Sequence, residues 1–169
     1  MKVQKELHET CCFTGHRKLE MPVRELEKKT SELIQKAISQ GYTHFICGGA
    51  LGFDMLAAEE VVTLRTIYSH GATRKPITLE IAVPCADQTA KWSQKQQARY
   101  EAILECADAV NTLSKQYSRQ AMSLRNKYMV SKSSLVIAYY IPDNTGGTKN
   151  TLAYAEKQGR EIWHVNKQS

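Results

Sequence analysis

The sequence predicts a three-layer α/β fold: a mainly parallel six-stranded sheet with helices on both faces. Three observations predict it. Six short apolar runs of β type recur along the chain. The first five are each followed by a longer amphipathic segment, and the glycine-rich turns sit where a run gives way to the next helix. At 169 residues the chain has the length of one domain, residues 1–169, with core enough to need no staples.

The elements follow in order. The first run spans residues 10–14. Pro22 opens the segment after it, Leu26, Leu33, Ile34, Ala37 and Ile38 make its apolar face, and Gly41 ends it. The second run, 44–47, leads into a helix over about 53–70, with Leu56, Ala57, Val61, Leu64 and Tyr68 apolar and Gly71 as the stop. The third, 78–83, precedes a helix that begins at Ser93, where Gln96 completes a capping box. The fourth, 109–113, is followed by a helix over about 118–132. The fifth, 134–139, precedes a helix over 148–158 that Gly159 terminates, and the sixth run is 161–165. Right-handed crossovers put every strand-to-helix loop at the carboxyl edge of the sheet, where open α/β sheets bind ligands.

Composition removes several function classes. The longest strongly apolar run, 135–141, is far short of the ~20 residues of a membrane helix. The opening MKVQKELHETCCF has no apolar signal region, and five cysteines are an odd number, so reduced thiols in the cytoplasm are expected. No CxxC or HxxxH spacing supports a metal site. The formal charge is +6, and most of the excess lies in residues 91–132. Lys115, Arg119, Arg125, Lys127 and Lys132 fall there within a stretch that has no acid from 113 to 132. Such a field suits an anionic partner, a nucleotide phosphate or nucleic acid, and equally a solvated basic helix.

The unusual residues gather in the expected loops. After the second run comes GGALGFD, where Gly48, Gly49 and Gly52, with Ala50 between them, lead into a helix whose first N–H groups favour a phosphate. A tight turn that binds nothing is the alternative. It has neither the Walker ending nor the GxGxxG spacing. After the fifth run Gly146 and Gly147 precede Thr148, read as the helix start, either as a cap or as a phosphate ligand. After the first run Thr14, Gly15, His16 and Arg17 place a hydroxyl, an imidazole and a guanidinium side by side. Arg17 suits bidentate contact with phosphate, and His16 is either a solvated loop residue or an acid–base group. Asp54, in the first turn of the second helix, is stabilised there by the helix dipole. It would repel phosphate, so a ribose hydroxyl or Arg17 is its fitting partner. Arg125 and Asn126 interrupt an apolar face made by Ala121, Met122, Met129 and Val130. Arg125 therefore either reaches the ligand edge or pairs with an acid of the fold. Cys47 and Cys85 end the second and third runs, where a Cys–His nucleophile is conceivable and buried structural cysteine is the commoner case. Trp92 is either a stacking platform or the anchor of a helix start.

FTGHR, GGALGFDMLAAE, the Q-x3-W spacing of Gln88 and Trp92, RNKYMV and GGTKNTLAYA together resemble the YpsA-like family, over nearly the whole chain and in the same order. That resemblance implies the Rossmann-like superfamily that includes the LOG and DprA proteins, whose members bind nucleotides or nucleotide-derived ligands and are often dimers. It places phosphate loops at residues 48–52 and 146–148. LOG hydrolases carry a glutamate three residues after the threonine of their glycine-rich motif. Here Thr151 stands there and lacks the carboxylate. DprA, a binder of single-stranded DNA, resembles this chain at GGALGFD and TGHR. The expectation is a cytoplasmic binding protein or sensor for a nucleotide or nucleotide-derived ligand, with no further cofactor identified and no membrane partner. A nucleotide-cleaving hydrolase and a nucleic-acid-binding module are its rivals, and a homodimer is compatible with all three.

Overall fold

The computed structural model describes residues 6–70, 76–142 and 146–167. It holds a six-stranded sheet in which every pairing is parallel: β1 (Thr10–Gly15), β2 (His44–Cys47), β3 (Thr78–Val83), β4 (Ala109–Thr112), β5 (Leu135–Tyr139) and β6 (Glu161–His164). The five helices are α1 (Val23–Ser39), α2 (Phe53–Ser69), α3 (Gln94–Cys106), α4 (Arg119–Ser131) and α5 (Gly147–Lys157), and a 3-10 turn at Leu7–Glu9 precedes β1. Strand order is β4-β3-β2-β1-β5-β6.

The period-two side-chain pattern divides the core cleanly. Cys11 and Phe13 of β1, Phe45 and Cys47 of β2, Leu79 and Ile81 of β3, and Leu135 and Ile137 of β5 pack on one face with α1, α2 and α3. Their neighbours Cys12, Ile46, Ala82, Val136 and Ala138 pack on the other with Met129 and Val130 of α4 and Leu152 and Ala155 of α5. β5 is buried at every position, while β4 and β6 are partly open, as edge strands are. This arrangement follows from crossover handedness. The chain steps outward from β1 to β4 beneath α1–α3, then crosses back through α4 to β5 on the opposite face. The direction of winding therefore reverses between β1 and β5.

The element expectations hold to within a residue or two. The runs expected to reach Leu113 and Val165 stop one residue earlier, although the Leu113 and Val165 amides still donate to Val83 and Ala138. Ser93 caps α3 with the expected capping box, and Ser118 caps α4 by accepting from the Ala121 amide. Thr148 is a correction. α5 begins at Gly147, with Gly146 as its N-cap at φ +134°, a conformation open to glycine. Thr148 thus lies inside the first turn and caps nothing. The Gly71 stop lies outside the described residues, as do residues 143–145 just ahead of Gly146.

Candidate functional site

The loops after β1 and β2 are fastened together before any ligand is considered. Gly52 adopts φ +87°, and a Cβ there would lie 2.2 Å from the Arg17 carbonyl oxygen. Only glycine allows that approach. The Phe53 amide, first of α2, donates to the His16 carbonyl at 3.2 Å. The β1 loop is also tied to β5. The Ile141 amide donates to His16 Nε2 at 2.9 Å, and the Glu20 amide donates to the Tyr139 hydroxyl at 2.9 Å. With Nε2 accepting, the neutral His16 ring carries its proton on Nδ1. The ring also leans on Tyr140, centroids 5.5 Å apart.

These ties leave a cleft of about 380 Å³ at the reversal between β1 and β5. Thr14 and Gly15 line it from the end of β1, His16 and Arg17 from the loop after it, Ala50 from the loop before α2, Asp54 from the first turn of α2, Arg125 from α4, and Gly147 and Thr148 from α5. Gly48, Gly49 and Gly52 do not line it, and Gly146 lines the groove beside it. Gly48 and Gly52 make room for protein atoms: a Cβ on Gly48 would sit 2.7 Å from Arg125 Nη1 and 2.7 Å from Asp54 Oδ2. The first N–H groups of α5, free of intrahelical partners, begin at the cleft wall.

Arg125 is 3% exposed. Its Nη1 donates to the Gly48 carbonyl and, at 3.4 Å, to the Ala82 carbonyl, while its Nε donates to Asn126 Oδ1 at 2.8 Å. No carboxylate lies within 4 Å of it among the described residues, and Nη2 has no hydrogen-bond partner there. Burial pulls it below the ordinary guanidinium range, Asp54 pushes back, and Arg17 adds like-charge repulsion. Asp54 is also buried and accepts from the Ala50 amide at 3.4 Å. Burial raises its carboxyl to about 6, although Arg125, the Ala50 amide and Arg17 all favour the charged form. The cleft thus combines two cations with one carboxylate that is close to half-protonated near pH 6.

The structure keeps the cysteines out of this chemistry. Cys47 and Cys85 are fully buried, neither lines the cleft, and burial pushes both thiols up, away from the thiolate. Trp92 packs edge-on against Tyr100 at 5.4 Å, just ahead of the α3 cap. Thr151 donates its hydroxyl to the Gly147 carbonyl at 2.7 Å inside α5. Sequence reasoning did not name Phe13, Met122, Asn126 and Met129 as site residues, yet all four line the cleft. Met122, Asn126 and Met129 are four and three residues apart on one helical face with Arg125, a spacing that was visible. Phe13 carried no such signal. Among the described residues no group of three His, Cys, Asp or Glu side chains could hold a metal ion. Nor is any helix there long and apolar enough to cross a membrane.

The model of the YspA SLOG family matches residues 11–167. The UPF0398 protein BH1768 of Halalkalibacterium halodurans is 30% identical over 138 residues, covering 80% of this chain and 70% of that protein. The SPbeta prophage-derived protein YoqJ of Bacillus subtilis is 29% identical over 157 residues, covering 84% and 88%. Among solved structures, DNA processing protein A from Helicobacter pylori, described for its single-stranded DNA binding mode, superposes with a TM-score of 0.63 at 16% identity over 94% of this chain. DNA processing protein A from Streptococcus pneumoniae gives 0.60 at 13% over 92%. This chain spans 66% and 49% of those two proteins, and at such identities the likeness is one of fold.

Proposed function

The chain belongs to the YspA SLOG family, and we propose that it is a cytoplasmic binding protein or sensor for a nucleotide or nucleotide-derived ligand whose phosphate lies in the β1–β5 cleft. One observation carries the reading. Arg125 is a buried guanidinium held by carbonyls, with no carboxylate within 4 Å and Nη2 unused among the described residues, beside the start of α5. A buried cation so poorly neutralised is expensive unless an anion completes its shell. Phosphate suits it, because Arg125, Arg17 at the mouth and the α5 amides offer donors from three directions. The cleft volume lies in the usual range of small-ligand sites.

A thermal-shift panel at fixed salt tests this with AMP, ATP, NAD, ADP-ribose, a cyclic dinucleotide and a single-stranded oligonucleotide. A ligand at 100 times its Kd stabilises by about 2.7 kcal/mol, a rise of roughly 5–10 °C for a domain of this size. The rise is expected with a small nucleotide and is absent in Arg125→Met. A shift with the oligonucleotide alone, falling steeply with salt, moves the assignment to nucleic-acid binding. No shift with any member overturns the reading.

Asp54 supports a second reading. A buried carboxyl raised to about 6 in a cleft has the acid–base poise of a nucleotide-cleaving hydrolase. Turnover of a nucleotide, lost in Asp54→Asn, would establish it. Thr151, with its hydroxyl engaged inside α5, does not supply the glutamate of LOG-type hydrolysis.

A further inference from the structure

A second hollow of about 410 Å³ runs between α4 and α5. It is continuous with the cleft, since Met122, Asn126 and Gly147 line both. The two differ in chemistry. The cleft is more polar than apolar and carries Arg17, Arg125 and Asp54, whereas the groove is mainly apolar. Tyr154 of α5 and Tyr117 of the segment leading into α4 both line it, so each of its two walls offers an aromatic ring. Lys127 Nζ stands 5.7 Å from the centroid of the Tyr154 ring. Arg119 and Lys127 also line the groove. A cleft with two cations and a carboxylate thus opens into a hollow of mainly apolar surface edged by two tyrosine rings and two cations, which fits a ligand that is anionic at one end and aromatic at the other.

Asn126 stands at the junction, and its orientation is determined. Arg125 Nε donates to Asn126 Oδ1 at 2.8 Å, so the amide nitrogen is the end left over. Among the described residues Nδ2 makes no hydrogen bond, and it lies 3.7 Å from where a Cβ on Gly147 would be, at the shared wall. It presents a donor to whatever crosses from one compartment to the other. A ribose oxygen or the acceptor edge of a base would meet it there.

We propose that the α4–α5 groove is the base-binding arm of the same site, stacking the ring of a nucleotide on Tyr154 and Tyr117 while Asn126 donates to it at the junction. The proposal rests on the phosphate reading above and adds where the rest of the ligand lies. Tyr117 is 62% exposed, as an aromatic residue is when its partner is a ligand and not the core. Base–aromatic stacking tolerates any base, so the tyrosines supply affinity and Asn126 supplies choice.

The test compares ligands with and without a base. Ribose 5-phosphate, AMP and UMP are titrated calorimetrically into the whole chain. At least one nucleotide is expected to bind about tenfold or more tighter than ribose 5-phosphate. Tyr154→Ala should remove that margin and leave ribose 5-phosphate unchanged, and Tyr154→Phe should restore it. Tyr117→Ala, at an exposed position that folding does not need, should reduce the margin severalfold and serves if Tyr154→Ala unfolds. Equal binding of all three ligands overturns the base-binding arm and leaves the phosphate reading standing. Tyrosine variants that weaken ribose 5-phosphate and nucleotide together also overturn it. Failure of all three ligands to bind overturns the phosphate reading and this proposal with it.

Discussion

Arg125 Nη1 donates to the carbonyl of Gly48, a residue 77 positions away in the chain, and the Gly48 Cα faces both that guanidinium and the Asp54 carboxylate. The first glycine of GGALGFD is therefore the seat of the buried cation. Gly48→Ala would push a methyl group to within 2.7 Å of Nη1 and of Oδ2, overpacking that costs about 1–3 kcal/mol. The expected result is a melting temperature lower by about 5 °C and at least a tenfold loss of phosphate-ligand affinity, read by calorimetry. Full affinity in a folded Gly48→Ala protein would separate Arg125 from the ligand.

Arg125→Met removes the cation and retains volume. The substitution leaves the Gly48 and Ala82 carbonyls and Asn126 Oδ1 without their donor and withdraws a charge that favours the buried Asp54 carboxylate. The ligand-free protein should therefore melt lower, and less so at acid pH where Asp54 is protonated. Charge-assisted hydrogen bonds are worth about 1.5–3 kcal/mol, which predicts a loss in affinity of about 10–100-fold. Arg17 is exposed and makes no ion pair within 4 Å among the described residues. Arg17→Ala should cost only severalfold, and less at high salt. An equal loss at both positions would contradict this division.

Asp54 gives the site a pH dependence of definite sign. Burial raises its carboxyl from 3.8 to about 6, against the pull of Arg125, the Ala50 amide and Arg17, while the Cys47 and Cys12 thiols beside it stay protonated. A raised folded value means the fold favours the protonated form. Stability is complete below pH 3.8, declines as pH rises through about 6, and carries the full penalty above it. That penalty is on the order of 3 kcal/mol at ~1.4 kcal/mol per unit. Asp54→Asn should flatten the decline in melting temperature between pH 4 and about 7. Sulfate, whose charge is constant over that range, should bind more tightly at pH 5.5 than at pH 7.5 to the unsubstituted chain, and that difference should narrow in the variant, which keeps His16 in the cleft wall. A sulfate affinity independent of pH in the unsubstituted chain would place the anion away from Asp54.

The elements were legible because alternation and helical spacing are local. β5 reads as an unbroken apolar run because both of its faces are buried, and α3 announces itself by a Ser93–Gln96 capping box. The site loops were legible for a topological reason: parallel strands send every following loop to one edge. What approaches a glycine is not local. Gly48 and Gly52 read equally as room for a phosphate, yet the atoms that fill the space are those of Arg125, Asp54 and Arg17. The contacts of Arg125 with Gly48 and Ala82 depend on α4 crossing the sheet, which only the strand order discloses. The acid–partner alternative for Arg125 was open for the same reason.

The polar cluster beneath α4 was hidden altogether, since its members come from two neighbouring strands and a helix far along the chain. His44 Nε2 meets Glu80 Oε1 at 3.0 Å, His44 Nδ1 meets Thr78 Oγ1 at 2.6 Å, and the Tyr128 hydroxyl donates to Glu80 Oε2 at 2.7 Å. Burial pushes the Glu80 carboxyl up, but hydrogen bonds from His44, Tyr128 and Asn111 outweigh it and hold the group below its ordinary value. The sign is opposite to that of Asp54. A lowered folded value gives stability that is present above the ordinary carboxylate range and is lost as pH falls through it. Tyr128→Phe leaves Glu80 Oε2 a partner short in a buried place, at a cost of about 1–3 kcal/mol, and should lower the melting temperature by about 5 °C. The loss of stability toward acid should be smaller in that variant, because without the hydroxyl the folded Glu80 value moves back up toward its unfolded one. Sulfate affinity should change less than twofold, because Arg125 is held by Gly48, Ala82 and Asn126 and not by Tyr128. A Tyr128→Phe protein that keeps its stability but loses sulfate would make the cluster part of the site and not a support for α4.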